Sequence, residues 1–228
     1  MRFTFVVDEA VAMKFQAAIF DMDGLLLDTE RLCMRVFKQA CQNVNVPFYQ
    51  ETYLSIIGRN SAGIETIFRQ AYGDNYDKLH QEWRTQYDGV VKHQAIPVKE
   101  GVIELLEWLK AQHIPAVVAT STHREVAQVK LDLAELSHYF SGLTCGCEVA
   151  NGKPDPEIYL LAASRLGVDA KQCIAFEDSN NGVRSAIAAN MATFQIPDLV
   201  EPCEQVKSLN PMIMPSLHDA LHYLKNPA

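Results

Sequence analysis

The stretch Ala17-Ala18-Ile19-Phe20-Asp21-Met22-Asp23-Gly24 decides the fold, because a short apolar run ends in two alternating carboxylates and a glycine. In extended backbone, residues i and i+2 face the same way, so Asp21 and Asp23 present their side chains to one pocket while Gly24 permits a sharp exit. Two like charges held that close require a shared proton or a cation. A divalent, oxygen-seeking ion such as Mg²⁺ suits them, since it binds through one or two carboxylates and keeps positions for phosphate and water. The same residues also read as an Asp-rich turn in which Gly24 supplies a positive φ. The spacing alone leaves both readings open.

Other segments of the chain repeat the pattern. Pro115-Ala116-Val117-Val118-Ala119 has the length and β-branched content of a buried strand and runs into Thr120-Ser121-Thr122. Cys173-Ile174-Ala175-Phe176 ends in Glu177-Asp178-Ser179-Asn180-Asn181-Gly182. Between them lies Asn151-Gly152-Lys153-Pro154-Asp155-Pro156. There Pro154 forces Lys153 extended, Asp155 is the expected N-cap, and Pro156 suits the first helical position. In an open α/β sheet, ligands bind beyond the carboxyl ends of the strands, which is where these polar groups fall if the strands are parallel.

In order and spacing, these segments resemble the four motifs of the haloacid dehalogenase superfamily of hydrolases, in the branch with a helical cap inserted after the first strand. The matching positions are Asp21-x-Asp23-Gly24, Thr120, Lys153 in Gly-Lys-Pro-Asp-Pro, and Glu177-Asp178 with Asn181-Gly182. The resemblance implies a Rossmann-like parallel-sheet α/β core and a Mg²⁺-dependent phosphatase acting on a small phosphate monoester. It implies that Asp21 attacks phosphorus to form an aspartyl-phosphate, and that Asp23 protonates the leaving alcohol and then deprotonates water. It further implies Mg²⁺ on Asp21, Asp178 and the backbone carbonyl of Asp23. Glu177 would bind the ion directly or through water, and both remain open. Thr120 and Lys153 would hold the phosphoryl oxygens, with backbone N–H groups near Met22, Asp23 and Ser121 completing the cradle.

Branches of the superfamily that cleave carbon–halogen or carbon–phosphorus bonds lack the second Asp, so Asp23 favours phosphate-ester chemistry. The hexose 1-phosphate mutase branch, like β-phosphoglucomutase, carries a His after the first motif and an Arg in the cap. Here Cys33 and Ser61 stand at those places, with Arg59 nearby, which favours hydrolysis over a sugar phosphomutase. The first motif and its continuation through Leu32 are also similar to pseudouridine 5′-phosphatase-like and hexose-phosphate phosphatase members. A phosphoacceptor receiver module uses related residues, but its domain is much shorter and has no helical insertion. A catalytically silent binding protein fits less well, because every acidic, hydroxyl and Lys position is filled.

The 228 residues, 48% of them hydrophobic, suffice for one core plus an insertion. A formal charge of −8 disfavours nucleic acid or an anionic membrane as partner. No apolar run approaches the roughly 18 residues of a membrane span. Six cysteines, including Cys145 and Cys147, make neither a disulfide scaffold nor a two-pair zinc pattern, so reduced thiols and a cytoplasmic location are expected, with Cys33, Cys41 and Cys173 in the core. His218 and His222 read as an exposed helix face rather than a zinc site. A monomer or weak homo-oligomer is expected.

The expected organisation is an extension at 1–14 with an alternative start at Met13, a core at 15–27 and 95–228, and a helical cap at 28–94. Thr29 is read as the cap of a helix carrying Leu32, Val36, Phe37, Ala40 and Cys41 on one face. Helices follow near 50–57, 61–72 and 76–93, and later ones after Thr122, Asp155 and Asn180. Short strands are expected near 192–196 and 212–214, with a final helix from 217. Hinges are placed at 26–30 and 94–98. Arg59, Asn60, Arg84, Tyr87, His123 and Arg124 are candidates to grip the leaving group.

Overall fold

The computed structural model of the protein describes residues 15–57, 59 and 61–226. The extension 1–14, with Met13, and the positions Gly58 and Asn60 lie outside them, and so does the side chain of Ser61. Strands β1 (Ala17–Phe20), β2 (Ala116–Thr120), β3 (Phe140–Cys145), β4 (Cys173–Glu177), β5 (Ala192–Gln195) and β6 (Met212–Ile213) form a six-stranded sheet in the order β3-β2-β1-β4-β5-β6. All of its pairings are parallel. Every residue of β1, β2 and β4 is buried, as a sheet covered on both faces requires. Strand order reverses between β1 and β4, which opens a crevice at their carboxyl ends.

Alternation along the strands builds two core layers. Ala18 and Phe20 face α5 (Val102–Ala111), α6 (Arg124–Leu133) and α10 (Leu217–Lys225) in one apolar cluster, where Phe20 stacks on Phe176 with ring centroids 4.7 Å apart. Ala17 and Ile19 face α7 (Glu157–Leu166) and α8 (Asn180–Ala188) through Ile158, Tyr159, Ala162 and Ala186. A short helix α9 (Glu204–Lys207) precedes β6.

Between β1 and α5 the chain makes α1 (Thr29–Val44), α2 (Gln50–Leu54), α3 (Ser61–Tyr72) and α4 (Tyr76–Val91). These helices have an apolar centre of their own around Phe37, which stacks on Phe68 at 4.8 Å and meets Trp83 edge-on at 5.0 Å. The segments read as hinges run side by side: Asp28 N–H donates to Pro97 O at 2.9 Å and Lys99 N–H to Leu26 O at 3.0 Å. Buried Asp198 accepts from Arg31 and Lys99, pinning both segments to the β5 side of the core.

Several sequence expectations shift. Helices α2 and α4 end earlier than expected, at Leu54 and Val91. Helix α7 begins one residue after Pro156, although Asp155 Oδ1 does accept from Glu157 N–H at 3.0 Å. Strand β3 has no counterpart among the expected elements; its first residues, with Ser141 and Gly142 among them, lie exposed or half-buried at the sheet edge and carry little apolar pattern. Cys41 and Cys173 are buried as expected, but Cys33 is only partly so. Thr29 is the first residue of α1 rather than its cap. Its hydroxyl instead accepts the buried N–H of Gly24 at 3.0 Å, tying the turn after β1 to the start of α1.

Thr29→Val keeps the shape and removes that acceptor, while Leu27 O, also 3.0 Å from the Gly24 N–H, stays in place. It should lower unfolding stability by about 0.5–1.5 kcal/mol in a urea titration, the net loss of one hydrogen bond. A change within about 0.3 kcal/mol would show that the turn is held by other contacts.

Candidate active site

The site forms where β1 and β4 end side by side. Asp21 N–H still donates to Phe176 O at 3.0 Å, so Asp21 continues the strand pairing. The chain then folds back tightly, with the N–H groups of Leu26 and Leu27 on Met22 O at 3.0 and 3.1 Å. Gly24 is needed in this turn because its φ is +85° and any side chain there would overlap the Asp178 carboxylate.

Lys153 is the hub. Its ammonium group donates to Asp21 Oδ1 at 2.5 Å, Glu177 Oε1 at 2.6 Å and Ala119 O at 3.0 Å, which uses all three of its N–H bonds. Three strand ends thereby meet on one buried cation. Glu177 is wholly buried and fully engaged: Oε1 also accepts from Tyr159 Oη at 2.7 Å, and Oε2 accepts from Ser179 N–H and Oγ at 3.3 and 3.2 Å. Gly182 is required there, since a methyl group would overlap the Glu177 carboxylate.

A second, separate ion pair holds Asp23. Lys130 of α6, only 2% exposed, donates to Asp23 Oδ1 at 2.7 Å, and Thr122 Oγ1 donates to Oδ2 at 2.7 Å. The Thr120 hydroxyl lies 3.4 Å from the same Oδ2 and accepts from Thr122 N–H at 3.1 Å. Lys130 is the residue that sequence reasoning missed. A signal was present, since Lys130 falls on the arc of α6 that buries Ala127 and Leu131.

The charges do not balance around Lys153, because it pairs with Asp21 and Glu177 while a third buried carboxylate, Asp178, lies in the same cluster. Burial pushes the Asp21 carboxyl up to about 7, with Glu177 and Asp23 adding to the rise and Lys153 only partly opposing it. Burial, Glu177 and Asp21 also raise Asp178 well above the carboxylate range. For Asp23, burial opposes ionisation, but Lys130 and the Thr122 hydrogen bond outweigh it and hold the group below its ordinary value.

One carboxylate oxygen from each of Asp21, Glu177 and Asp178 lies within 4.8 Å of the others, an all-oxygen set that fits a hard divalent cation. Both Glu177 oxygens are already occupied by donors, whereas the Asp178 carboxylate accepts no hydrogen bond among the described residues. Asp178 thus keeps acceptor capacity for a cation, whereas Glu177, though in the same cluster, already anchors Lys153.

Above these groups a cavity of about 630 Å³ opens, with Ser121 in its wall and Cys33, Arg59, Arg84, Tyr87 and His123 around it. Cys33 is thus a cavity residue, and burial pushes its thiol up to about 12. Arg124 is not part of the cavity lining; it pairs with Glu148 at 2.7 Å. His218 and His222 are exposed on α10, and all six cysteines are free thiols. Among the described residues no helix is long and apolar enough to cross a membrane.

The family model for haloacid dehalogenase-like hydrolases matches residues 18–196. The chain is 34% identical over 182 residues to "Phosphorylated carbohydrates phosphatase" of Thermotoga maritima, covering 77% of this chain and 82% of that protein. It is also 34% identical over 199 residues to "Probable pseudouridine-5'-phosphatase" of Drosophila melanogaster, covering 82% and 84%. Among solved structures, a candidate beta-phosphoglucomutase from Thermotoga maritima superposes with a TM-score of 0.73 at 29% identity, over 93% of this chain and all of that one, 100%. The chain belongs to the haloacid dehalogenase-like hydrolase family, and it is a phosphatase of that family.

Because Asp21 titrates near 7 and Asp178 is also raised, a divalent cation binding to them has to displace protons. Calorimetric titration with Mg²⁺ in buffers of different ionisation heat should show proton release at about pH 6, with the share from Asp21 decreasing as pH rises past 7. Binding at about pH 6 without proton release would contradict this placement of the ion.

Proposed function

We propose that this phosphatase hydrolyses a small phosphate monoester, a sugar phosphate or a nucleotide-like ester, in two steps through an aspartyl-phosphate on Asp21. The observation that carries the reading is the division of labour between the two aspartates. Asp21 sits against Lys153 at 2.5 Å beside a ligand set for a cation, while Asp23, two residues on, is held apart by Lys130 at 2.7 Å.

In the first step an Asp21 carboxylate oxygen bonds to phosphorus as the bond to the ester oxygen breaks. Lys153 offsets negative charge at this point and keeps the attacking carboxylate oriented. A divalent cation, proposed as Mg²⁺ on Asp21, Asp178 and the Asp23 carbonyl, would supply charge neutralisation for the phosphoryl oxygens. Thr120, Ser121 and the N–H groups of Met22, Asp23 and Ser121 are the proposed cradle, with Glu177 holding Lys153 in register.

Asp23 is ionised in the substrate-free protein, which fits the base that takes a proton from water in the second step. The proton that it gives to the leaving alcohol in the first step then arrives with the substrate, since a phosphate monoester has its second pKa near 6. The water oxygen attacks phosphorus, the bond to Asp21 breaks, and inorganic phosphate departs. Residues 28–94 are proposed as a cap over this chemistry, with Arg59, Arg84, Tyr87 and His123 facing the leaving group. The likeness to a candidate beta-phosphoglucomutase favours, as a second reading, a sugar phosphomutase.

Incubation with Mg²⁺ and a panel of sugar phosphates and nucleoside monophosphates should release free phosphate, and EDTA should abolish the release. Asp21→Asn should fold normally and lose at least about 10³-fold in kcat. Interconversion of sugar phosphates with little free phosphate would establish the mutase instead, and retained turnover in folded Asp21→Asn would refute the nucleophile.

A further inference from the structure

Lys130 has no place in the mechanism just described beyond pairing with Asp23, yet its position is costly. It lies on the inward face of α6, 2% exposed, in line with Ala127 and Leu131. An apolar residue there would pack at least as well, because burying an ammonium group is unfavourable unless it is paired and hydrogen-bonded. Its one carboxylate partner among the described residues is Asp23, at 2.7 Å. Its other neighbour is an aromatic face: the ammonium group lies 5.3 Å from the ring centroid of Tyr87, within cation–π range.

Those two partners come from different parts of the molecule. Asp23 follows β1 of the sheet, whereas Tyr87 belongs to α4 of the helical insertion, and α4 packs directly on α6. Both residues line the same cavity, as Lys130 itself does. Thr122 holds Asp23 Oδ2, so with Lys130 on Oδ1 both carboxylate oxygens are fixed and the group cannot rotate freely. Proton transfer depends on such placement, because the acid has to lie within hydrogen-bond reach of the ester oxygen.

We propose that Lys130 is a positioning residue: its ammonium group fixes the Asp23 carboxylate at the floor of the cavity and, through the Tyr87 ring, links that placement to the helical insertion. The inference rests on the acid/base role given to Asp23 above. Lys153 cannot substitute, since its three N–H bonds are already used by Asp21, Glu177 and Ala119. The two lysines thus serve one aspartate each.

The test uses the leaving group as the readout. An alkyl phosphate needs a proton on its departing oxygen, whereas p-nitrophenolate leaves readily without one. First-turnover rates are measured by rapid quench with a sugar phosphate and with p-nitrophenyl phosphate for the wild type, Lys130→Met, Lys130→Arg, Tyr87→Leu and Asp23→Asn. Lys130→Met should slow the sugar phosphate by about 10²-fold, with p-nitrophenyl phosphate slowed far less and KM little changed. Lys130→Arg should recover part of the loss, and Tyr87→Leu should show a smaller loss of the same selectivity. Should Lys130→Met fail to fold, Lys130→Arg and Tyr87→Leu carry the comparison; because Tyr87 also faces the leaving group, a selective loss of rate in Tyr87→Leu with KM for the sugar phosphate unchanged supports the proposal, and a loss confined to KM counts against it. Equal losses on the two esters, or no loss, in the folded Lys130 and Tyr87 variants would overturn it. Selectivity in Asp23→Asn without it in those variants would leave Asp23 as the acid and remove Lys130 from the account. An unselective Asp23→Asn would refute the acid role, and this proposal with it.

Discussion

Three carboxylates buried around one ammonium group set the terms for the rest of this molecule. Asp21, Glu177 and Asp178 leave an excess of negative charge around Lys153 that no other side chain of the described site offsets, and burial, with the neighbouring carboxylates adding to it, raises the Asp21 and Asp178 carboxyls. Such a cluster is unfavourable for folding, since desolvated like charges repel and take up protons. It makes chemical sense as a receptacle for something positive, which would turn a liability into a place where an anionic phosphate ester can approach the carboxylate proposed as nucleophile.

The sheet makes the cluster possible. Parallel strands bring the carboxyl ends of β1, β2 and β4 to one edge, and the crossover between β1 and β4 leaves that edge uncovered by backbone. Short, wholly buried strands fix the register, since a one-residue slip of β1 or β4 would turn Phe20 or Phe176 out of their stacked layer into the opposite one, packed around Ala17 and Ile19. Close approach also sets local sequence: Gly24 and Gly182 lie where side chains would strike Asp178 and Glu177. The helical insertion supplies what the sheet cannot, a second wall carrying Arg59, Arg84 and Tyr87 over the carboxylates.

The sheet and its reactive ends were legible in the sequence because apolar runs of strand length lead directly into polar groups at Asp21, Thr120 and Glu177-Asp178. Strand β3 was not, since an edge strand needs little apolar content and Ser141-Gly142 mimics a turn. Thr29 was misassigned because a hydroxyl at a helix start normally serves its own helix, and only the tertiary path of the preceding turn sends it to Gly24. Lys130 escaped for a related reason. Lysine on a helix is ordinarily solvated, and its burial follows from the position of Asp23 more than 100 residues earlier, with a chain separation of 107. Glu177 was legible as a member of the acidic cluster with Asp178; its hydrogen bonds with Lys153, Tyr159 and Ser179 were not, because those partners are brought to it by the tertiary fold.

The account stands or falls on covalent chemistry at Asp21. The most direct measurement is acid quench of the Mg²⁺-loaded protein during the first turnover of a hydrolysed sugar phosphate, followed by peptide mass spectrometry. A phosphoryl group on the peptide containing Asp21, formed and lost at rates compatible with turnover, is the predicted result. Single-turnover hydrolysis that goes to completion with no phosphoryl group ever bound to that peptide would contradict it.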